Sequence, residues 1–324
     1  MKTLKEIRQP VSNEMDAFEP RFRNAMKSNV ALLDIITRYI VKRKGKQVRP
    51  LFVFLSAGAT GAICESTYRA AILTELLHTA TLIHDDVVDH SYFRRGMFSI
   101  NALWGNKISV LVGDYLLATG LMVTLESNDF HLLKIATRAI KEMSQGELLQ
   151  LEKARKLNID EDIYFEIIRK KTASLIASCC ATGTASSGAS PEMVEKMWHF
   201  GELAGTAFQI KDDLFDFEAS IDAGKPKGLD IRDRKMTLPL IHALHVSDAS
   251  DRRYMTRIVK NHNTDTLQVN KLLKMVQERG GIEYARQKMT EIIESAFGVL
   301  GGLPDSPHNT SLRALLHFLI ERKS

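Results

Sequence analysis

Residues 72–83 read ILTELLHTATLI, and this stretch decides the fold class. It is apolar on most sides of a helical wheel. That pattern marks a helix buried in a bundle, not one lying on a surface. The sequence around it agrees. No proline occurs between Pro50 and Pro191, a span free of the residue that helix interiors tolerate worst. In EIIRKKTASLIASCCA, Ile167, Ile168, Leu175 and Ile176 recur at three and four spacing. In GELLQLEKARKL, Leu148, Leu149 and Leu151 alternate with a charged side. Period-two alternation is scarce, so the chain reads as all-α. The helix around ILTELLHTATLI is expected from about Tyr68 to Asp89. Breaks are expected near 44–50, 90–99, 186–191, 223–230, 261–265 and 301–306, where Gly, Pro or polar residues cluster. None is long enough to be an interdomain linker, and one domain over 1–324 is the simplest organisation.

The chain has 324 residues, 44% of them hydrophobic, and a net charge of +5. A mild basic excess suits an anionic ligand. There is no long Lys/Arg block, so charge alone does not argue for nucleic acid. Cys64, Cys179 and Cys180 are odd in number and two are adjacent. This pattern points away from a disulfide framework and towards a reducing compartment. The N-terminal stretch lacks the apolar core of a signal peptide. No apolar run is read as approaching the ~18 residues of a membrane helix. The expectation is a cytoplasmic protein.

At the end of the buried helix comes LIHDDVVDHSYFRRG, residues 82–96, with Asp85, Asp86 and Asp89. The same spacing recurs in LAGTAFQIKDDLFDF as Asp212, Asp213 and Asp216, again after an apolar helical segment. Like charges four apart destabilise a helix by a few tenths of a kcal/mol, so folding gives no reason for them. On a helix, residues i and i+4 point the same way, ~6 Å apart along the axis. Asp85 with Asp89, and Asp212 with Asp216, would each present two carboxylates to one point. Cations would relieve the repulsion. Carboxylate oxygens suit Mg²⁺, which commonly completes its shell with water and substrate phosphate. The bland alternative is a pair of solvated helix ends.

Acids holding Mg²⁺ predict a phosphate ligand, and that predicts cations nearby. Arg94 and Arg95 follow the first motif. KGKQVRP places Lys46 and Arg49 at a loop-to-helix junction. His78 lies two turns before Asp85 on the same face, ~10 Å away. Lys171 and Thr172 fall mid-helix in IIRKKTASL, and AGKPKGLDIRDRKMTLP supplies Lys225, Lys227 and Lys235. Guanidinium groups grip phosphate in bidentate fashion, while lysines act as point charges. Each of these has an ordinary alternative. A single Lys or Arg is commonly a solvated charge, His78 suits a core position equally well, and the cysteines read as packing residues.

GKQVRP, ELLHTATLIHDDVVDHSYFRRG, ALWGNKISVLVGDYLLATG, QGELLQL, RKKTASL, FQIKDDLFDF, GKPKGLDIRDRKMTLPLIHAL and GGIEYARQKM run in this order from about residue 45 to 290, a span that is most of the chain. With these pieces the chain resembles the trans-isoprenyl diphosphate synthases, most closely the long-chain heptaprenyl to decaprenyl group. The resemblance implies an isoprenoid-synthase helical bundle around a central apolar cavity, usually a homodimer. It implies repeated condensation of isopentenyl diphosphate onto an allylic diphosphate, with release of pyrophosphate. It also implies that Asp85, Asp89 and Asp212 ligate Mg²⁺, three ions with substrate bound, supported by Asp86, Asp213 and Asp216. Arg94, Lys171, Lys225 and Lys235 would hold the allylic diphosphate. Lys46, Arg49, His78 and Arg95 would hold isopentenyl diphosphate. Thr172 and Gln209 would lie near the reacting carbon. Four positions depart from the commoner pattern: Leu229, Gln47, Val48 and Lys211.

In short-chain relatives an aromatic four or five residues before the first motif closes the product channel. Here those positions are Thr81 and Ala80, with Leu77 one turn deeper. A long-chain product is therefore expected, grown from a primer such as farnesyl diphosphate to make a quinone side chain. A short-chain synthase or the catalytic subunit of a heteromeric synthase is the alternative. Other classes fit less well. A di-iron bundle wants two Glu-x-x-His pairs, and only Glu75–His78 is found. A non-catalytic subunit generally loses an aspartate motif, and a terpene cyclase needs no Lys46, Arg49 and His78. No nucleic-acid partner is expected, and at most transient membrane contact when product is released.

Overall fold

The structure is a computed structural model. It describes residues 3–42, 45–94, 96–156, 159–218 and 228–321, apart from the side chains of 155, 156 and 218. Arg95, Lys225, Lys227, Arg322 and Lys323 lie outside the described residues. The helices begin with α1 (Leu4–Arg8), α2 (Ser12–Ala25), α3 (Ala31–Lys42), α4 (Val48–Thr60) and α5 (Glu65–Val88). A hairpin of two-residue strands follows, β1 (Phe93–Arg94) and β2 (Met97–Phe98). Then come α6 (Ile100–Trp104), α7 (Asn106–Leu125), α8 (Phe130–Lys156) and α9 (Glu161–Ile168). A π-helical turn, Arg169–Ala173, leads into α10 (Ser174–Ser186) and α11 (Pro191–Glu218). The chain ends with α12 (Leu229–Arg232), α13 (Leu238–Val246), α14 (Ala249–Asn261), α15 (Thr266–Glu278), α16 (Gly281–Gly301) and α17 (Pro307–Glu321). The all-α expectation holds.

Contacts cluster into two compact units. The first comprises Met1–Ile140, Leu175–Gly201 and Leu300–Leu315. The second comprises Lys141–Ser174, Glu202–Val299 and Leu316–Ser324. Every boundary between these stretches falls inside a helix.

In the first unit, α4 is buried along nearly its whole length, including Leu51 to Leu55. Phe18 of α2 meets Phe54 edge-on at 6.1 Å, and Tyr68 of α5 meets Phe54 at 5.1 Å. Helix α5 begins three residues earlier than expected, because Cys64 caps it and its backbone N–H donates to the Thr67 hydroxyl at 3.2 Å. It packs on α4 and along α7. Burying one such Leu, Ile or Phe contributes about 1.5–3 kcal/mol, so the apolar centre of α5 is fixed by packing and not by propensity.

Helix α7 corrects the membrane expectation. It has 20 residues, and an 18-residue window within it has a mean hydropathy of 1.8. By length and composition it is long and apolar enough to cross a membrane. Lys107 and Asp114 interrupt the run and conceal it from a search for unbroken apolar residues. In the structure it is a bundle helix against α5, with about a third of that window buried.

The core of the second unit joins Tyr164 and Ile167 of α9, Ile210 and Leu214 of α11, Leu240 of α13, Ile258 of α14 and Leu272 of α15. Asp248 and Asp265 accept from the first free N–H groups of α14 and α15 and so set where these helices start.

Candidate functional site

The first acidic motif occupies the C-terminal turn of α5. Asp89 is the capping residue, and its N–H donates to the Asp85 carbonyl at 2.8 Å. Asp89 is exposed and Asp85 half-buried, whereas Asp86 is buried. Arg94 Nε of β1 donates to Asp86 Oδ1 at 2.6 Å. The Asp86 carbonyl accepts from Asn101 Nδ2 at 3.0 Å and from the Ser91 N–H at 2.9 Å. In the hairpin Arg94 pairs with Met97, and from there its side chain reaches back to the end of α5. Sequence reasoning missed Asn101. Its signal was a lone Asn in INALW after the arginines.

In the same unit, Lys46 is exposed just before α4 and Arg49 is half-buried in its first turn. Gln47 precedes the helix at φ 50°, a left-handed turn that ends the GKQVRP loop. His78 is buried on α5. Cys179 of α10 feels the charges of both Arg49 and Glu75, and burial pushes its thiol up to about 12. Of the three residues named for chain length, Ala80 and Leu77 are closely packed and only Thr81 keeps exposed surface. The Thr81 hydroxyl donates back to the His78 carbonyl at 2.9 Å.

The second acidic motif lies in the last two turns of α11. Asp212 and Asp216 are half-buried. Asp216 accepts from the N–H groups of Leu229 at 2.9 Å and Asp230 at 3.2 Å, which anchors the start of α12. Burial and the nearby Asp230 charge raise its carboxyl, against the pull of those two donors. Lys235 reaches Asp230 and Asp233, each at 3.3 Å. Burial lowers its ammonium, but the two carboxylates outweigh this and raise it. Lys211 lies over the Phe215 ring at 4.7 Å.

Asp213 is buried, as Asp86 is. Tyr164 OH donates to its Oδ2 at 2.7 Å and Gln209 Nε2 to its Oδ1 at 2.9 Å. Burial pushes its carboxyl up to about 7, and the two donors oppose that rise. The resemblance implies ligation by Asp85, Asp89 and Asp212, with Asp86, Asp213 and Asp216 in support. Successive helical residues point 100° apart, so the middle aspartate of each motif turns away from its neighbours and into the protein. Asp86 and Asp213 are accordingly buried, the first against Arg94 and the second against Tyr164 and Gln209.

Lys171 and Thr172, expected mid-helix, lie in the π-turn. The Ser174 N–H bonds to the Arg169 carbonyl, five residues back. Such a turn adds one residue to a helix and is common at functional sites. It fits here because helices flank it closely through glycines. A Cβ on Gly146 of α8 would lie 2.6 Å from the Lys171 nitrogen, and one on Gly205 of α11 would lie 2.5 Å from the Ala173 Cα. Lys171 Nζ reaches Glu147 at 2.5 Å and Gln150 at 3.1 Å. The Thr172 hydroxyl donates to Gln209 Oε1 at 2.9 Å. Arg95 and Lys225, also expected at the site, lie outside the described residues.

The donor set can be tested against a divalent cation. Both motifs crowd carboxylates at helix C-termini, the negative end of the macrodipole, with no basic residue in the last turn of either helix. Among the described residues, no three acidic, His or Cys groups converge to hold a metal alone. One or two carboxylates per ion, completed by phosphate and water, is the usual Mg²⁺ arrangement. The residues fit a cation that arrives with an anionic substrate.

An all-helical chain with one aspartate motif at the end of α5 and another at the end of α11 has the pattern that the resemblance to isoprenoid synthases implies. A decaprenyl diphosphate synthase from Rhodobacter capsulatus superimposes with a TM-score of 0.93 at 33% identity, covering 98% of this chain and 99% of that one. A geranylgeranyl pyrophosphate synthase from Bacteroides thetaiotaomicron superimposes with a TM-score of 0.83 at 36% identity, covering 98% of each. The octaprenyl diphosphate synthase of Escherichia coli K12 is 32% identical over 320 residues, 98% of this chain and 99% of that protein. The polyprenyl synthetase profile matches residues 30–276. The chain belongs to the polyprenyl synthetase family and is a prenyltransferase.

Proposed function

We propose that this chain is a long-chain trans-polyprenyl diphosphate synthase. It adds isopentenyl diphosphate units to an allylic primer, farnesyl diphosphate, and so builds the side chain of a quinone. The observation that carries the long-chain reading is the face of α5 leading to Asp85. Thr81, Ala80, Leu77 and Thr74 occupy it, and none is aromatic. The octaprenyl and decaprenyl synthases it resembles support this.

In this reading Asp85, Asp89 and Asp212 hold Mg²⁺, three ions with substrate bound, while Asp86, Asp213 and Asp216 hold the ligating turns in place. When bound, Mg²⁺ supplies Lewis-acid neutralisation of the leaving diphosphate. Arg94, Lys171, Lys225 and Lys235 grip the allylic diphosphate. Lys46, Arg49, His78 and Arg95 grip isopentenyl diphosphate. As the allylic C–O bond breaks, its electrons pass to the pyrophosphate, where preorganised cations stabilise the growing charge. The oxygens of Thr172 and Gln209 face the allylic cation as dipoles without attacking it. The double bond of isopentenyl diphosphate then attacks the cation and forms the new C–C bond. Loss of a proton, taken by the departing pyrophosphate, restores the alkene. No side-chain base is needed.

The exposed apolar residues of α7 support a homodimer, since large patches of this kind mark interfaces. Three free cysteines support a cytoplasmic location. Membrane contact is confined to release of the apolar product.

The test is a product analysis. The purified protein is incubated with Mg²⁺, farnesyl diphosphate and labelled isopentenyl diphosphate, and the dephosphorylated products are resolved by length. A ladder ending in one long polyprenol is expected. A stop at geranylgeranyl length would favour the short-chain reading, which the Bacteroides neighbour keeps in play. No incorporation with any primer would point to a heteromeric enzyme that needs a second subunit.

A further inference from the structure

Three hydrogen bonds in the second unit form one chain. Tyr164 OH donates to Asp213 Oδ2 at 2.7 Å, Gln209 Nε2 donates to Asp213 Oδ1 at 2.9 Å, and Thr172 Oγ1 donates to Gln209 Oε1 at 2.9 Å. We infer that Tyr164 is a positioning residue for the condensation: through Asp213 it fixes which way the Gln209 amide faces, and through that amide the direction of the Thr172 hydroxyl. The inference rests on Thr172 and Gln209 lying at the reacting carbon.

The chain has a sense, and chemistry sets it. Tyr164 and Asp213 are 3% and 6% exposed, so water does not take over either role. A carboxylate only accepts hydrogen bonds. With Tyr164 on one oxygen, the other has one neighbour to take, the amide of Gln209 four residues back on the same face of α11. That neighbour must present its NH₂, because its carbonyl would oppose carboxylate oxygen to carbonyl oxygen. The amide carbonyl is thereby turned to Thr172, whose single proton is committed to it. What Thr172 has left to offer is lone pairs. An oxygen lone pair stabilises a developing carbocation, and a hydroxyl proton aimed at it does the reverse. Removing the Tyr164 hydroxyl frees Asp213 to turn, and the amide loses the partner that told its two ends apart.

Among the described residues, the Tyr164 hydroxyl bonds to Asp213 and to no group expected to hold diphosphate, so its effect should appear in turnover and not in binding. The experiment measures one round of condensation at pH 8 with Mg²⁺, for wild type, Tyr164→Phe, Gln209→Ala and the double variant. Affinity for inorganic pyrophosphate with Mg²⁺ is measured by calorimetry on the same proteins. In the wild-type background Y164F is expected to lower kcat about tenfold, with both KM values and pyrophosphate affinity within about twofold. In the Q209A background the same change is expected to cost under about twofold, because the two residues act as one unit. Equal losses in both backgrounds, unchanged kcat, or a loss matched by weaker pyrophosphate binding would each overturn the inference while leaving the prenyltransferase reading intact. If Y164F does not fold, Asp213→Asn cuts the same chain at its centre, and the same non-additivity with Q209A is required. A wild-type protein that forms no product would overturn the underlying reading and this inference with it.

Discussion

Asp86 and Asp89 show how three residues of one helix turn separate two jobs. Asp86 is buried and ion-paired with Arg94, while Asp89 is exposed at the helix end. Asp86→Asn removes the charge from the buried end of the Arg94 pair and is expected to cost about 1–3 kcal/mol in urea unfolding. Asp89→Asn is expected to leave the urea midpoint unchanged and to raise the Mg²⁺ concentration needed for half-maximal activity. Equal urea midpoints for the two variants would contradict this division. The cysteines allow a second test. Cys64 is exposed, whereas burial pushes Cys179 from 9.0 up to about 12 and Cys180 well above the usual thiol range. A native thiol titration at pH 8 should therefore count one reactive group, and one in denaturant should count three. The sign for stability follows from proton binding. A folded-state pKa raised above the unfolded one means the native state keeps its proton longer. The contribution of Cys179 is thus fully present below about pH 9 and is lost as pH rises from there towards 12.

At the scale of elements, the π-turn has the sharpest consequence. Gly146→Ala places a methyl group 2.6 Å from the Lys171 nitrogen, against backbone that cannot step aside as a side chain would. Overpacking of this kind costs about 1–3 kcal/mol. Because the turn carries Lys171 and Thr172, the variant should also lose on the order of tenfold in kcat/KM for the allylic substrate. A variant with unchanged kinetics would show that the turn tolerates displacement. The turn was not legible beforehand. One extra residue in RKKTASL changes neither composition nor apolar rhythm; it shows only in which carbonyl Ser174 bonds to. The hairpin escaped for a similar reason: strands of two residues are too short for period-two alternation, so residues 90–99 read only as a break. The long helices were legible because burial writes itself into apolar spacing, and α5 is found within three residues of its expected start. The middle aspartates were readable in principle from the 100° step, but nothing in DDVVD names Arg94 as the partner of Asp86. Tyr164 lies 49 residues from Asp213 and had no local signal at all.

At the scale of the whole molecule, the acidic motifs and basic residues could be read from sequence because each is a local cluster. The division of contacts into two units could not, because each unit is assembled from three separated stretches of chain. The surface poses a related question. On α7, Leu111, Ala118, Met122 and Leu125 are all exposed. Their spacings of seven, four and three keep them on one face of a 3.6-residue helix. Leu111 is 59% exposed, an unusual state for a leucine in the middle of so apolar a helix. A second copy of the chain would cover this line in the proposed homodimer. An arginine within it would have to be buried without a partner, at a cost far above that of any exposed substitution. Light scattering of the wild type at micromolar concentration should thus give the mass of two chains. Leu111→Arg or Met122→Arg should move it towards one chain with the helical circular dichroism unchanged, since in the monomer both positions already face water. Two-chain mass persisting in both variants would place the interface on another face, and a monomeric wild type would remove the homodimer altogether.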